Sequence, residues 1–227
     1  MQMFDEDTSW EAARKNVRFT AARLAADPTH RKHEKAVRAL LAEWGTIEQA
    51  RRDADDGVVD ANALVAYCND RLDDTTGRFV RRLRNDFGGD DNASFRKFFE
   101  ESPSEVINLG LESQIGRSKD FFVVAEAVPL TKDAKAILDE IGAIMKEGTA
   151  ALDGRETATI GVAKVSLRVQ TWKEKANAAR RSLENILDTH ATNNGHPRDY
   201  ANRFFPASAK KTKKKGEKKT DEKPAAP

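Results

Sequence analysis

Apolar residues recur every three or four positions through most of the first 206 residues, the spacing of one buried face on a helix. Trp10, Ala13, Val17, Thr20 and Leu24 form the first stripe, behind a capping box of Thr8 and Glu11. Asp27-Pro28, an N-cap followed by a first-turn proline, predicts a second helix carried by Val37, Leu40, Leu41, Trp44 and Ile47. That stripe runs out in the polar segment Asp53–Gly57. Asp60 then caps a third helix with Ala61, Val65, Cys68, Leu72 and Phe79. Gly88-Gly89 ends it, because glycine enters the left-handed region without steric cost.

Shorter elements follow. Ala93–Glu101 holds Phe95, Phe98 and Phe99, and Ser102-Pro103-Ser104-Glu105 combines N-cap, first-turn proline and capping glutamate. Phe121–Val124 has no diagnostic period but reads as helix, since no second strand candidate exists to pair with it. From Thr131 the signal strengthens: Ala134, Leu138, Ile141, Met145, Gly148 and Leu152 share a stripe that ends at a turn near Gly154. Beyond it Val162, Val165, Val169, Trp172, Ala176, Ala179, Leu183 and Ile186 keep alternating steps of three and four, a coiled-coil seam. The expected fold is all-α: an elongated antiparallel bundle of about five major helices, coiled-coil-like in its long ones, over residues 1–206.

A faint repeat runs through this pattern. Leu83, a polar loop and Phe98-Phe99 are echoed some 104 to 106 residues later by Leu187, a polar loop and Phe204-Phe205. The echo predicts a duplication with halves of about 1–103 and 104–206.

Composition sharpens the class. With 33% charged residues, 7% aromatic and a mean hydropathy of −0.69, the chain reads as helix-rich with much solvated surface. The lone cysteine excludes an internal disulfide, the acidic N-terminus lacks the apolar core of a signal peptide, and the longest apolar run, Phe121–Ala125, is too short for a bilayer. A cytoplasmic protein is expected.

No catalytic signature assembles. His30 and His33 are three apart but sit among Arg31, Lys32 and Lys35, without further ligands for zinc, and read as surface histidines. His190 and His196 flank a helix end. Asp53, Asp55, Asp56 and Asp60 fail the calcium-loop pattern, with Gly57 at its fifth position and Leu64 at its twelfth. Gly110–Ser118 has the wrong glycine spacing for a phosphate loop, and Asp86-Phe87-Gly88 lacks the rest of a kinase. Cys68 lies on an apolar stripe, where a thiol behaves as a small hydrophobe. No residue is assigned to catalysis, to a cofactor or to a metal.

Two features remain. Phe98, Phe99, Phe204 and Phe205 stand beside basic residues, and either close the ends of the bundle or dock a partner. After Pro206 the chain becomes a lysine tract: Lys210, Lys211, Lys213, Lys214, Lys215, Lys218, Lys219 and Lys223 against three acids give the last 21 residues +5. A total of +2 leaves the body at −3. Residues 207–227 are expected to be disordered. The tract resembles the lysine-rich tails of linker histones and some nucleoid proteins, a resemblance that implies phosphate neutralisation. Having neither arginine nor aromatics, it lacks the groups that read base edges or stack on bases. A membrane surface is disfavoured for want of an anchor.

The chain is therefore expected to be a non-catalytic structural or interaction protein, a helical scaffold with a cationic tether. It would bind a protein partner and exist as a monomer or weak homodimer. The alternative is a sequence-nonspecific nucleic-acid-associated protein acting through the tail.

Overall fold

The computed structural model describes residues 3–100 and 102–206, and every regular element among them is helical. Six α-helices follow in order: α1 (Trp10–Ala26), α2 (Glu34–Phe87), α3 (Ala93–Phe98), α4 (Pro103–Ile107), α5 (Leu111–Ala127) and α6 (Lys132–Asn193). Short 3-10 turns lie at Arg31–His33 and Tyr200–Phe204. The all-α expectation holds, and Phe121–Val124 is helical within α5.

Two predicted breaks do not occur. The polar segment Asp53–Gly57 runs through α2, a single helix of 54 residues, and Gly154 lies inside α6, a single helix of 62. An interior glycine costs a helix only about 1 kcal/mol. Around Gly57 the charges fall at helical spacing: Arg52 pairs with Glu48 at 2.7 Å, Gln49 with Asp53 at 2.7 Å and Arg51 with Asp55 at 3.0 Å. What reads as a loop is a solvated helix.

The helix starts differ in detail. Ser9, not Thr8, caps α1, its Oγ accepting the Ala12 N–H at 3.2 Å. Thr8 is occupied one turn earlier, giving its N–H and hydroxyl to Asp5. Asp27 closes α1 rather than opening α2, and its Oδ1 accepts the Thr29 N–H at 2.9 Å. The capping box at Ser102 and Glu105 forms as expected, with the Ser102 N–H 3.1 Å from Glu105 Oε2. Both long helices end in a Schellman motif. Gly89 N–H bonds the Arg84 carbonyl and His196 N–H the Ala191 carbonyl, with Gly88 at φ 81° and Gly195 at φ 68°.

The chain divides into two compact units. The first joins the described residues of Met1–Trp44 to those from Thr171 onward. Within it α1, the start of α2 and the end of α6 bury Val17, Leu24, Trp44, Trp172 and Leu187. Lys175–Glu43 at 2.7 Å and Trp44 against Trp172 at 4.5 Å place α2 and α6 antiparallel there. The second unit, Gly45–Gln170, packs the rest of α2 and α6 against α3, α4 and α5 around Phe79, Phe121, Ile141 and Ile144. Arg78–Glu140 and Arg82–Asp133 align its long helices antiparallel.

The seam of α6 drifts from its heptad register. Trp172, Ala176 and Leu183 are buried as expected, but the face continues through Arg180, Leu187 and Ala191, and Ile186 is 41% exposed. A helix of 3.6 residues per turn carries its inner face past heptad positions, so burial moves one residue later. Arg180 is enclosed, its guanidinium 4.4 Å from the Phe4 ring and 5.4 Å from Phe205. Burial pulls it down to about 10, still charged at neutral pH.

Candidate interaction surface

The aromatic pairs singled out in the sequence are interior. Phe98 meets Phe79 edge to face at 5.7 Å and Phe99 meets Phe121 at 5.1 Å. Phe204 stands edge-on to His30 at 5.2 Å, and Phe205 packs under Arg180. All four rings are buried in their own units, so none offers a partner an exposed face. Cys68 is buried too, and burial pushes its thiol up, away from reactivity. Lys210, Lys211, Lys213, Lys214, Lys215, Lys218 and Lys219 lie outside the described residues.

The surface reading fails at His30, which is buried, while His33 is half-buried. The rings of His30, His190 and His196 gather in the first unit around Tyr200, with His33 beside His30. The sequence separates them by up to 166 positions, and only the antiparallel return of α6 brings them together. No group of three or more His, Cys, Asp or Glu among the described residues is placed to hold a metal ion.

A surface that sequence reasoning missed lies in the second unit. Here α5 covers α6, with Phe122 against Gly142 and with Leu111 and Ile115 against Gly148. A Cβ on Gly148 would stand 3.0 Å from Ile115, so the glycine lets the helices approach closely. Past Leu111, the first residue of α5, this cover ends. No residue from 48 to 67 in α2, and none from 152 to 164 in α6, is buried. Val59 is 66% exposed, and Leu64, Tyr67, Ile160 and Leu167 are exposed with it. An open groove of about 730 Å³ runs from α5 onto this stretch, floored by Ile115, Leu152 and Ile160 and rimmed by Glu112, Lys119 and Glu156. The one sequence signal was the placement of Val59, Leu64 and Tyr67 off the stripe of Ala61, Val65 and Cys68.

Electrostatics gives the stretch a sign. From 53 to 74, α2 carries Asp53, Asp55, Asp56, Asp60, Asp70, Asp73 and Asp74 against Arg71 alone, a net −6. Arg71 is itself paired with Glu147. Such a band repels phosphates and attracts cationic partners.

These features define an all-α protein whose long helices expose an acidic, partly apolar stretch, and no described helix is long and apolar enough to cross a membrane. Compared with family models, curated proteins and solved structures, the chain matches none.

Proposed function

We propose that the protein is a non-catalytic helical scaffold that binds a protein partner along the uncovered stretch of α2 and α6 in the second unit. One observation carries this reading: Val59, Leu64, Tyr67, Ile160 and Leu167 stay exposed along the stretch that α5 does not cover. A partner that covered them would remove this apolar surface from water. The partner best suited is an amphipathic helix with basic flanks, its apolar face toward Tyr67 and Leu167 and its cations toward the aspartates of α2. A photo-crosslinking residue at Tyr67 or Leu167 should capture the same protein in native cells, whereas one at Val123, equally exposed on α5, should not. Absence of any adduct at both positions would refute the reading.

The internal echo is part of this proposal. Buried positions recur 104 residues apart: Val37 and Ile141, Ile47 and Ala151, Leu72 and Ala176, Phe79 and Leu183, Leu83 and Leu187. Two halves of one ancestral sequence, each a short helix, a long helix and an aromatic turn, account for that constancy.

The lysine tract supports a second reading, in which phosphate-rich polymers bind the tail. The acidic band of α2 opposes such binding on the body, so this activity would belong to residues 207–227 alone.

A further inference from the structure

All four histidines of the chain meet where α1 turns into α2, where α6 ends and where the last described turn, Tyr200–Phe204, packs back. His30 and His190 lie 4.6 Å apart, His190 and His196 5.6 Å, and His30 and His33 6.3 Å between ring centres. Tyr200 is the hub. Its hydroxyl is 3.1 Å from His30 Nε2, and its ring stacks on His196 at 4.5 Å.

We propose that this cluster is a proton-binding site whose protonation releases the Pro197–Pro206 segment, and with it the origin of the lysine tract, from the first unit. At the end of α6 the Asn194 amide nitrogen donates to the His190 carbonyl at 2.8 Å and lies 3.2 Å from His190 Nδ1. Enclosure favours a neutral ring at His30. His30 is almost fully enclosed, with Phe204 edge-on at 5.2 Å, so its cation would lose hydration without a carboxylate in contact.

The surrounding charges do not offset this. From the α1–α2 turn, Asp27 favours a charged His30, but its Oδ1 already accepts the Thr29 and His30 amides. Lys32 and His33 oppose it from the same turn, and His190 opposes it from α6. Arg31 and Arg23 are bound to main-chain carbonyls, of Ala25 and Arg203. On the last turn Arg203 lies over Tyr200, and Asp199 caps the turn. Burial, ahead of these charges, holds His30 below its ordinary 6.5, and burial does the same for His33.

A ring held below its unfolded value binds fewer protons when packed. The packing is therefore at full strength above about pH 6.5 and is lost as pH falls through the packed-state values. The matching end of the second unit is built otherwise. Asp86, 104 positions before His190, accepts the Thr131 hydroxyl at 2.6 Å and pairs with Arg82 at 3.0 Å, and Arg82 also binds Asp133 at 2.9 Å. No histidine lies in the second unit.

Hydrogen exchange of the full-length chain between about pH 7.5 and pH 5.5 tests the site. Corrected for intrinsic rates, protection across 197–206 should fall on acidification, by about tenfold for each unit that a ring is held down. Residues 92–99 should keep theirs. His30→Gln, which removes the ring that burial holds down, should remove at least half of the loss on a logarithmic scale. Ring C–H resonances of the unaltered chain supply a check that needs no variant: His30 should titrate below 6.5, in step with the loss. Constant protection at 197–206, equal loss at both ends, full loss in His30→Gln, or a His30 titrating at or above 6.5 would each overturn the proposal.

Discussion

Trp172 donates its indole N–H to the main-chain carbonyl of Leu40 at 2.8 Å while its ring meets Trp44 edge to face at 4.5 Å. One side chain of α6 thus satisfies its only polar atom on α2 and fills the core between them. Trp172→Ala should cost about 3–5 kcal/mol in urea unfolding. Trp172→Phe, which keeps a ring and loses the donor, should cost about 0.5–1.5 kcal/mol beyond the packing difference.

Leu183 and Ile186 separate a heptad seam from the packed face. Leu183 is 4% exposed and Ile186 41%. Leu183→Ala should cost about 2–5 kcal/mol, and Ile186→Ala within about 1 kcal/mol. Equal costs in thermal melts would contradict the register described for α6.

Asn177 clamps the N-terminal segment by both main-chain polar groups of one residue, Phe4. Its Oδ1 accepts the Phe4 N–H at 2.8 Å and its Nδ2 donates to the Phe4 carbonyl at 2.7 Å. Asn177→Asp keeps the acceptor and replaces the donor with a second oxygen facing the carbonyl. The variant should lose about 1–3 kcal/mol at pH 7, measured by chemical denaturation, and recover part of it when the carboxylate is protonated.

Gly57 and Gly154 test whether α2 and α6 run unbroken. Neither has a positive φ, and a Cβ at either would meet nothing within 4 Å. Alanine should therefore stabilise by about 0.4–1 kcal/mol at each site, because it restricts the unfolded chain and suits a helix interior. A loss of stability at either would mean that the glycine serves a turn.

The tail carries any binding to phosphate polymers. With eight lysines engaged, log affinity for duplex DNA should fall against log salt with a slope of about −6 to −7. A chain ending at Pro206, net −3 by the same count of charges, should lose nearly all of it. Undiminished binding by that shorter chain would move the activity to the folded body.

The helical class, the faces of Val37–Ile47 and Ala134–Leu152, and the capping box at Ser102 were legible in the sequence because each depends on residues within one or two turns of each other. The continuity of α2 and α6 was not. A polar segment with one glycine looks the same whether it bends or is drawn straight by flanking ion pairs and by packing on both sides. The exposure of Leu64 and Tyr67 follows from where α5 begins, a fact of another helix. The histidine cluster is the clearest case, since His30, His190 and His196 share no local pattern. They meet only because α6 returns antiparallel to α2 and the turn after Gly195 folds back, and periodicity within one element carries no record of what a distant element brings against it.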